Sequence, residues 1–372
     1  MRASIISAII GVILIIVVLW AAFETLVLAR RVTRQTHLTR YFYRATWLPW
    51  SALVRSTLSG RHRENLLSIY GPVSLLLLLS FWACILIFGF GLLFWGSGLA
   101  TTRADQGVSL GTALYFGGTT FFTLGLGDER PIAPFARLLT VVEAGVGFGF
   151  LAMVIGYLPA LSQSFSKREV NISLLDARAG SPPTAAEMLR RYNDEYGMVS
   201  IRELLRDWEL WSAELLESHL SYPMLAYFRS QHDNQSWLSA LTSILDVSAL
   251  VMVGLEGACT RQAQLTFAIA RHAVVDLSLV FRLRPRNPEQ DRLPPEELAN
   301  LRATLLAAGL RPQAGAAVDR QLAELRQMYE PYLHSLSHYF YLSLPPWISQ
   351  TTLPDNWQGS PWDRGMKVES RL

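Results

Sequence analysis

Three long uncharged apolar stretches punctuate the first half of the chain: residues 3–23, 65–102 with its densest part at 75–94, and 138–166, interrupted only by Glu143. A helix rises about 1.5 Å per residue, so each is long enough to cross a hydrocarbon core of roughly 30 Å. The pattern predicts three membrane spans. A cleaved signal peptide fits the first poorly, because its long apolar run leads into Glu24-Thr25-Leu26-Val27-Leu28 without a cleavage site. Between the second and third, residues 110–122 read as a short aromatic helix.

Beyond Glu169 the periodicity becomes that of amphipathic helices. Gly180-Ser181-Pro182-Pro183 reads as a linker. Thr184 with Glu187, and Ser200 with Glu203, are capping boxes that open helices ending near Gly197 and Leu220. Leu204, Leu205, Trp208, Trp211, Leu215 and Leu216 form an apolar stripe on the latter. Further helices are expected over 236–255, 261–281, 295–308 and 317–343. The 236–255 segment is apolar enough for a fourth span, but Asp246 and Glu256 favour a bundle core. Strand alternation is absent, and so is a dinucleotide-binding glycine fingerprint, so an antiparallel helical bundle is the reading.

Charge orients the spans. Arg30, Arg31, Arg34, Arg40, Arg44, Arg55, Arg61 and Arg63 crowd the segment after the first span, against a single acid, Glu64. Such loops stay in the cytoplasm. The loop 100–135 has only Arg103 and Arg130 beside Asp105, Asp128 and Glu129, and should lie outside; Lys167-Arg168 marks cytoplasmic exit. This leaves a short N-terminus outside. The arginine-rich segment also carries Tyr41, Phe42, Tyr43, Trp47 and Trp50. That composition suits either a helix on the inner membrane surface or a plain linker. Pro49 and Gly60 argue against one long helix. Residues 167–372 hold 21 basic and 24 acidic side chains. A mixed, slightly acidic tail argues against nucleic-acid binding.

Thr123-Leu124-Gly125-Leu126-Gly127-Asp128 is the most telling motif. Glycine at alternate positions permits left-handed dihedrals, and such a backbone can aim successive carbonyls at one axis, where they replace an ion's water shell. The motif resembles the potassium-channel selectivity filter, with Leu124 where Val is common and Leu126 where Tyr is common. Residues 111–122 resemble the pore helix, with Tyr115 and Phe116 at the aromatic pair that braces the filter. Residues 137–150 resemble the inner helix, with Gly147 near the family's gating hinge. The resemblance spans about Ser68 to Glu169.

It implies an all-α membrane protein with a potassium-channel-like pore (outer helix, pore helix, filter, inner helix), an extra N-terminal span and a cytoplasmic helical bundle. The expected organisation is an N-terminal transmembrane helix at 1–28, an arginine-rich cytoplasmic or interfacial linker at 29–66, a pore domain at 67–169 and a cytoplasmic helical domain at 170–372. Within the pore domain the outer helix is 67–98, the pore helix and filter 110–128 and the inner helix 135–166. One filter per chain implies a homotetramer in the inner (plasma) membrane, passing K⁺ as the permeant ion with no cofactor and no catalytic residues. Leu126 lacks the hydroxyl of the usual Tyr, which allows relaxed K⁺ selectivity. Thr119 sits where some members carry an acid behind the filter. Glu143 supports the pore helix or reaches the outer interface. Gly145, Gly147 and Gly149 allow either a hinge or close packing, and Pro159 a kink.

Other chemistry is faint. His272 and Asp276 share a helix face, and Glu217, His219, His232 and Asp233 lie close in sequence; ordinary bundle histidines and solvated charges are the commoner outcome for such groups than a metal. Cys84 and Cys259 sit in unlike settings and do not suggest a disulfide. No nucleophile elbow, P-loop or zinc-hydrolase helix occurs. A regulatory ligand or partner of unknown kind is expected at the helical tail. The remaining alternatives are a weakly selective cation channel and a non-conducting membrane sensor or scaffold that keeps the pore fold.

Overall fold

The computed structural model describes residues 2–26, 37–97, 108–192, 197–230, 234–256, 259–288 and 290–349. Among these residues every extended element is helical, and the chain divides into two compact units, residues 1–163 and 164–372. Arg30, Arg31, Arg34, Arg103, Asp105, His232 and Asp233 lie outside the described residues.

In the first unit α1 (Arg2–Leu26) packs along α3 (Gly60–Gly96). The two touch through backbone: a Cβ on Gly11 would fall 2.5 Å from the carbonyl oxygen of Gly89. Paired small residues let apolar helices approach closely where no hydrophobic force exists between helix and lipid. Ile15, Val18, Ala21 and Ala22 are buried on α1, whereas Ile9, Ile13, Ile16 and Trp20 are exposed.

Between them α2 (His37–Thr57) folds back on the start of α3. The Thr25 and Thr39 hydroxyls hydrogen-bond at 3.0 Å, Thr46 and the Tyr70 hydroxyl at 2.8 Å, and Trp50 Nε1 donates to the Leu66 carbonyl at 3.2 Å. Trp47 meets Tyr70 edge to face. Pro49 lies inside α2 and does not end it; the break comes at residues 58–59, before Gly60 with its φ of +60°. The aromatics of this segment are therefore divided. Tyr43 and Trp47 are buried in the unit, while Tyr41, Leu48 and Leu53 share the outer face with Arg44 and Arg55.

The last helix of this unit is the first part of α5 (Pro134–Ala179), which continues without interruption through Gly145, Gly147, Gly149 and Pro159. The inner helix expected to finish at 166 thus extends to Ala179, and Arg168 and Glu169 are buried inside the second unit.

The second unit is built around α8 (Trp237–Val253), buried at every position from Trp237 to Val251. A helix apolar on all sides belongs in a core or a membrane. At 17 residues it falls short of a span, and its contacts show which applies. It is ringed by α6 (Ala185–Arg191), α7 (Met198–Ser221), α9 (Thr260–Val280), α11 (Ala316–Gln327) and α12 (Glu330–Phe340), with α10 (Pro295–Ala307) against α6.

Its one acid is fully paired. Asp246 takes Arg292 Nη2 at 2.7 Å and the Tyr329 hydroxyl at 2.6 Å. Arg292 and Arg326 both reach Glu330 at 3.1 Å, Arg326 pairs with Asp291, and Trp347 lies 5.7 Å from each guanidinium. Burial, then the Asp246 and Glu330 carboxylates, holds the Tyr329 hydroxyl well above its ordinary pKa, so it remains a donor.

Several local expectations are corrected. Thr184 caps α6, accepting from the Glu187 amide, but α6 ends at Arg191. Ser200 does not cap α7, which starts at Met198 after Gly197, whose φ is +50°. The segment 317–343 forms two helices because Pro331 has no amide to continue the ladder. By length and composition α9 also qualifies to cross a membrane, yet its buried stripe from Ala263 to Leu277 packs on α7 and α8.

Candidate functional site

The pore-helix segment is α4 (Leu110–Phe121). Ser109 caps it, accepting from the Thr112 amide at 3.1 Å. Its 12 residues span about 18 Å, too short to cross a bilayer core of about 30 Å. Ala113, Phe116, Gly117, Thr120 and Phe121 form its buried face. Phe116 meets Phe94 of α3 edge to face at 5.0 Å, and a Cβ on Gly91 would strike Leu114 at 2.6 Å. At Gly117 three helices converge: an added Cβ would lie 3.2 Å from Glu143 Oε1 of α5 and 3.5 Å from the Ile87 carbonyl of α3.

The helix closes with a Schellman turn. The Thr123 amide donates to the Thr120 carbonyl at 2.9 Å and the Leu124 amide to the Thr119 carbonyl at 2.8 Å. The turn requires a left-handed residue, and Thr123 supplies it with φ +56°. For a β-branched residue this conformation is strained by roughly 1–2 kcal/mol. Gly125 follows at +56° and Gly127 at +75°, while Leu124 and Leu126 keep ordinary φ. Backbone that alternates in handedness can present successive carbonyls on one side. Residues 122–128 are exposed within the single chain, Leu124 and Leu126 to 61% each.

Around this strand the proposed support residues divide by position. The Tyr115 hydroxyl donates to Asp128 Oδ2 at 2.8 Å, tying α4 to the residue that follows Gly127. Phe116 packs behind the helix instead. The Thr119 hydroxyl bonds back to the Phe116 carbonyl at 2.9 Å. Glu143 is completely buried against α4 at Gly117, and neither carboxylate oxygen has a hydrogen-bond partner among the described residues. One turn on, a Cβ on Gly147 would fall 2.0 Å from the Phe121 carbonyl oxygen, whereas Gly145 and Gly149 face open space. Of the three glycines Gly147 is thus the one that α5 presses against the end of α4. The other face of α5 is apolar and exposed at Leu138, Val141, Phe148, Leu151 and Ile155.

Sequence reasoning missed Arg130, whose Nε donates to the Gly127 carbonyl at 3.1 Å. Only its position two residues after Asp128 hinted at this. The tail candidates do not converge. His272 Nε2 pairs with Asp276 at 2.9 Å on an exposed face. Glu217 bonds Ser221, and His219 is enclosed elsewhere. Among the described residues no three His, Cys, Asp or Glu side chains form a metal-holding group, and Cys84 and Cys259 are free.

His219 sits beside Arg168, where Arg168 Nη1 faces its Nε2 at 3.3 Å and the Leu215 carbonyl faces its Nδ1 at 2.8 Å. A donor on one side and an acceptor on the other fix the neutral tautomer with hydrogen on Nδ1. Burial, then the Arg168 charge, lowers the pKa of His219 to about 3.

Residues 75–161 match the family described as Ion channel (Ion_trans_2). Over 192 residues the chain is also 27% identical to an uncharacterized membrane protein, YdjJ, of Bacillus subtilis (strain 168). That alignment covers 51% of this chain and 54% of the relative, so it spans about half the length of each. No solved structure matches. The matched segment takes in α3 from Leu75, α4, the glycine-alternating segment and α5 to Leu161, so the family match covers the whole candidate site.

Proposed function

We propose that four copies of this chain form a potassium-selective channel that conducts passively through the backbone carbonyls of Thr123 to Gly127. The observation that carries the reading is the alternation of φ at Thr123, Gly125 and Gly127 directly after a helix too short to span. Non-helical backbone at such depth is tolerated where it lines a water-filled path or is buried in protein. Coordination by a carbonyl ring needs several chains, and the bare apolar face of α5 offers them a surface. The arginine-rich segment would face the cytoplasm of the inner membrane, with the filter entered from outside. Gating would involve bending of α5 near Gly147 and the helical second unit, which would take a regulatory ligand or partner. Leu126, with no hydroxyl to brace the strand, favours a second reading of weak selectivity among monovalent cations.

The test is flux of K⁺, Rb⁺ and Na⁺ into liposomes holding the purified chain, with Gly125→Ala as control. Alanine meets no atom at this position but must hold a left-handed φ, so it disturbs the strand and spares the helices. Potassium and rubidium flux above sodium, abolished in the control, supports the filter. Equal sodium flux moves the assignment to the weakly selective reading. No flux in any form, even with the second unit removed, leaves a non-conducting sensor or scaffold.

A further inference from the structure

We propose that Arg130 is a built-in competitor of the permeant cation at the outermost filter carbonyl, and that it sets how the pore responds to external K⁺. The inference rests on the channel reading above. Arg130 Nε donates to the Gly127 carbonyl at 3.1 Å, and a Cβ on Gly127 would lie 3.5 Å from its Nη2, so the guanidinium lies along the last filter residue. Among the described residues no carboxylate pairs with this guanidinium. Asp128 Oδ2 accepts from Tyr115 instead, and Glu129 Oε2 is buried without a partner. The charge of Arg130 therefore falls on the oxygen that an incoming cation would take first.

Two consequences follow from chemistry alone. A cation arriving from outside must share that oxygen with a guanidinium or displace it, and like charges at hydrogen-bond range repel strongly. In a ring of four chains the same conflict recurs at each carbonyl. Outer-side cation binding is weakened, while the inner carbonyls of Thr123 to Leu126 are untouched. The effect fades at high salt because exposed charges are screened over a Debye length.

The experiment uses full-length chain in planar bilayers and reads inward unitary K⁺ current against external K⁺ for wild type, Arg130→Gln, Arg130→Lys and Gly125→Ala. Arg130→Gln is expected to lower the half-saturating external K⁺ about tenfold, the factor that one charge-assisted hydrogen bond of modest strength supplies. The currents of wild type and Arg130→Gln should converge at high K⁺. Arg130→Lys keeps the charge but not the guanidinium fork, and should fall between them. A silent wild type beside a conducting Arg130→Gln would support the proposal as outright block. Equal half-saturation in wild type and Arg130→Gln overturns it and leaves the channel reading intact. Absence of current in every form overturns both.

Discussion

Replacing Gly147 with alanine separates two roles that a glycine in an inner helix can play. The new Cβ would lie 2.0 Å from the Phe121 carbonyl oxygen, 2.9 Å from its carbon and 3.1 Å from its Cα. Comfortable contact begins near 3.5 Å, so α4 and α5 must part by roughly 1.5 Å. The neighbour is backbone and cannot rotate away. Overpacking of this kind costs about 1–3 kcal/mol. Alanine at Gly145 or Gly149 meets nothing and should gain up to about 1 kcal/mol in helix propensity. Gly147→Ala should thus be less stable than Gly145→Ala by about 1–3 kcal/mol, the overpacking cost alone, because both variants gain the same helix propensity. Because Phe121 immediately precedes the turn that sets Thr123, ion flux should fall as well. Thermal denaturation of the detergent-solubilised protein and liposome flux measure both. Equal stability of the three alanine variants would refute the packing argument. Equal loss of channel opening in all three, without loss of stability, would instead make helix bending the role of these glycines.

Two further outcomes concern the second unit. His219, neutral when folded, binds fewer protons than the unfolded chain between its ordinary pKa of 6.5 and about 3, so stability is full above the upper value and is lost as pH falls through the window. The full effect is on the order of 5 kcal/mol, and His219→Gln should flatten the acid limb of a stability-versus-pH curve; an unchanged limb would contradict the buried-imidazole account. Asp246→Ala leaves the buried Tyr329 hydroxyl without its acceptor and Arg292 with Glu330 as its remaining carboxylate, and should cost about 3 kcal/mol in chemical denaturation. A loss within about 0.5 kcal/mol, the range of ordinary surface substitutions, would mean that water or another group already satisfies these partners.

Much of this protein is determined by local pattern. Apolar runs longer than a bilayer core, the short segment between them and the glycine alternation are properties of consecutive residues, and they placed α1, α3, α4 and the positive-φ strand. The bundle character of α8 followed from two acids, Asp246 within it and Glu256 at its end, because an acid in lipid needs a partner. What sequence left open depends on contacts between distant residues. Whether Gly145, Gly147 or Gly149 approaches α4 is decided by the crossing of α4 and α5, since all three have the same local chemistry. The partition of the α2 aromatics follows from its packing on Tyr70 and Leu66. The side chain on the Gly127 carbonyl was invisible in the same way, because an exposed arginine carries no periodic signal. Glu143 was legible as an oddity, but only the convergence of α3, α4 and α5 at Gly117 determines where its carboxylate rests. Local propensity and hydropathy fix which elements form; close approach and hydrogen bonding between them fix which residues meet, and that depends on tertiary packing.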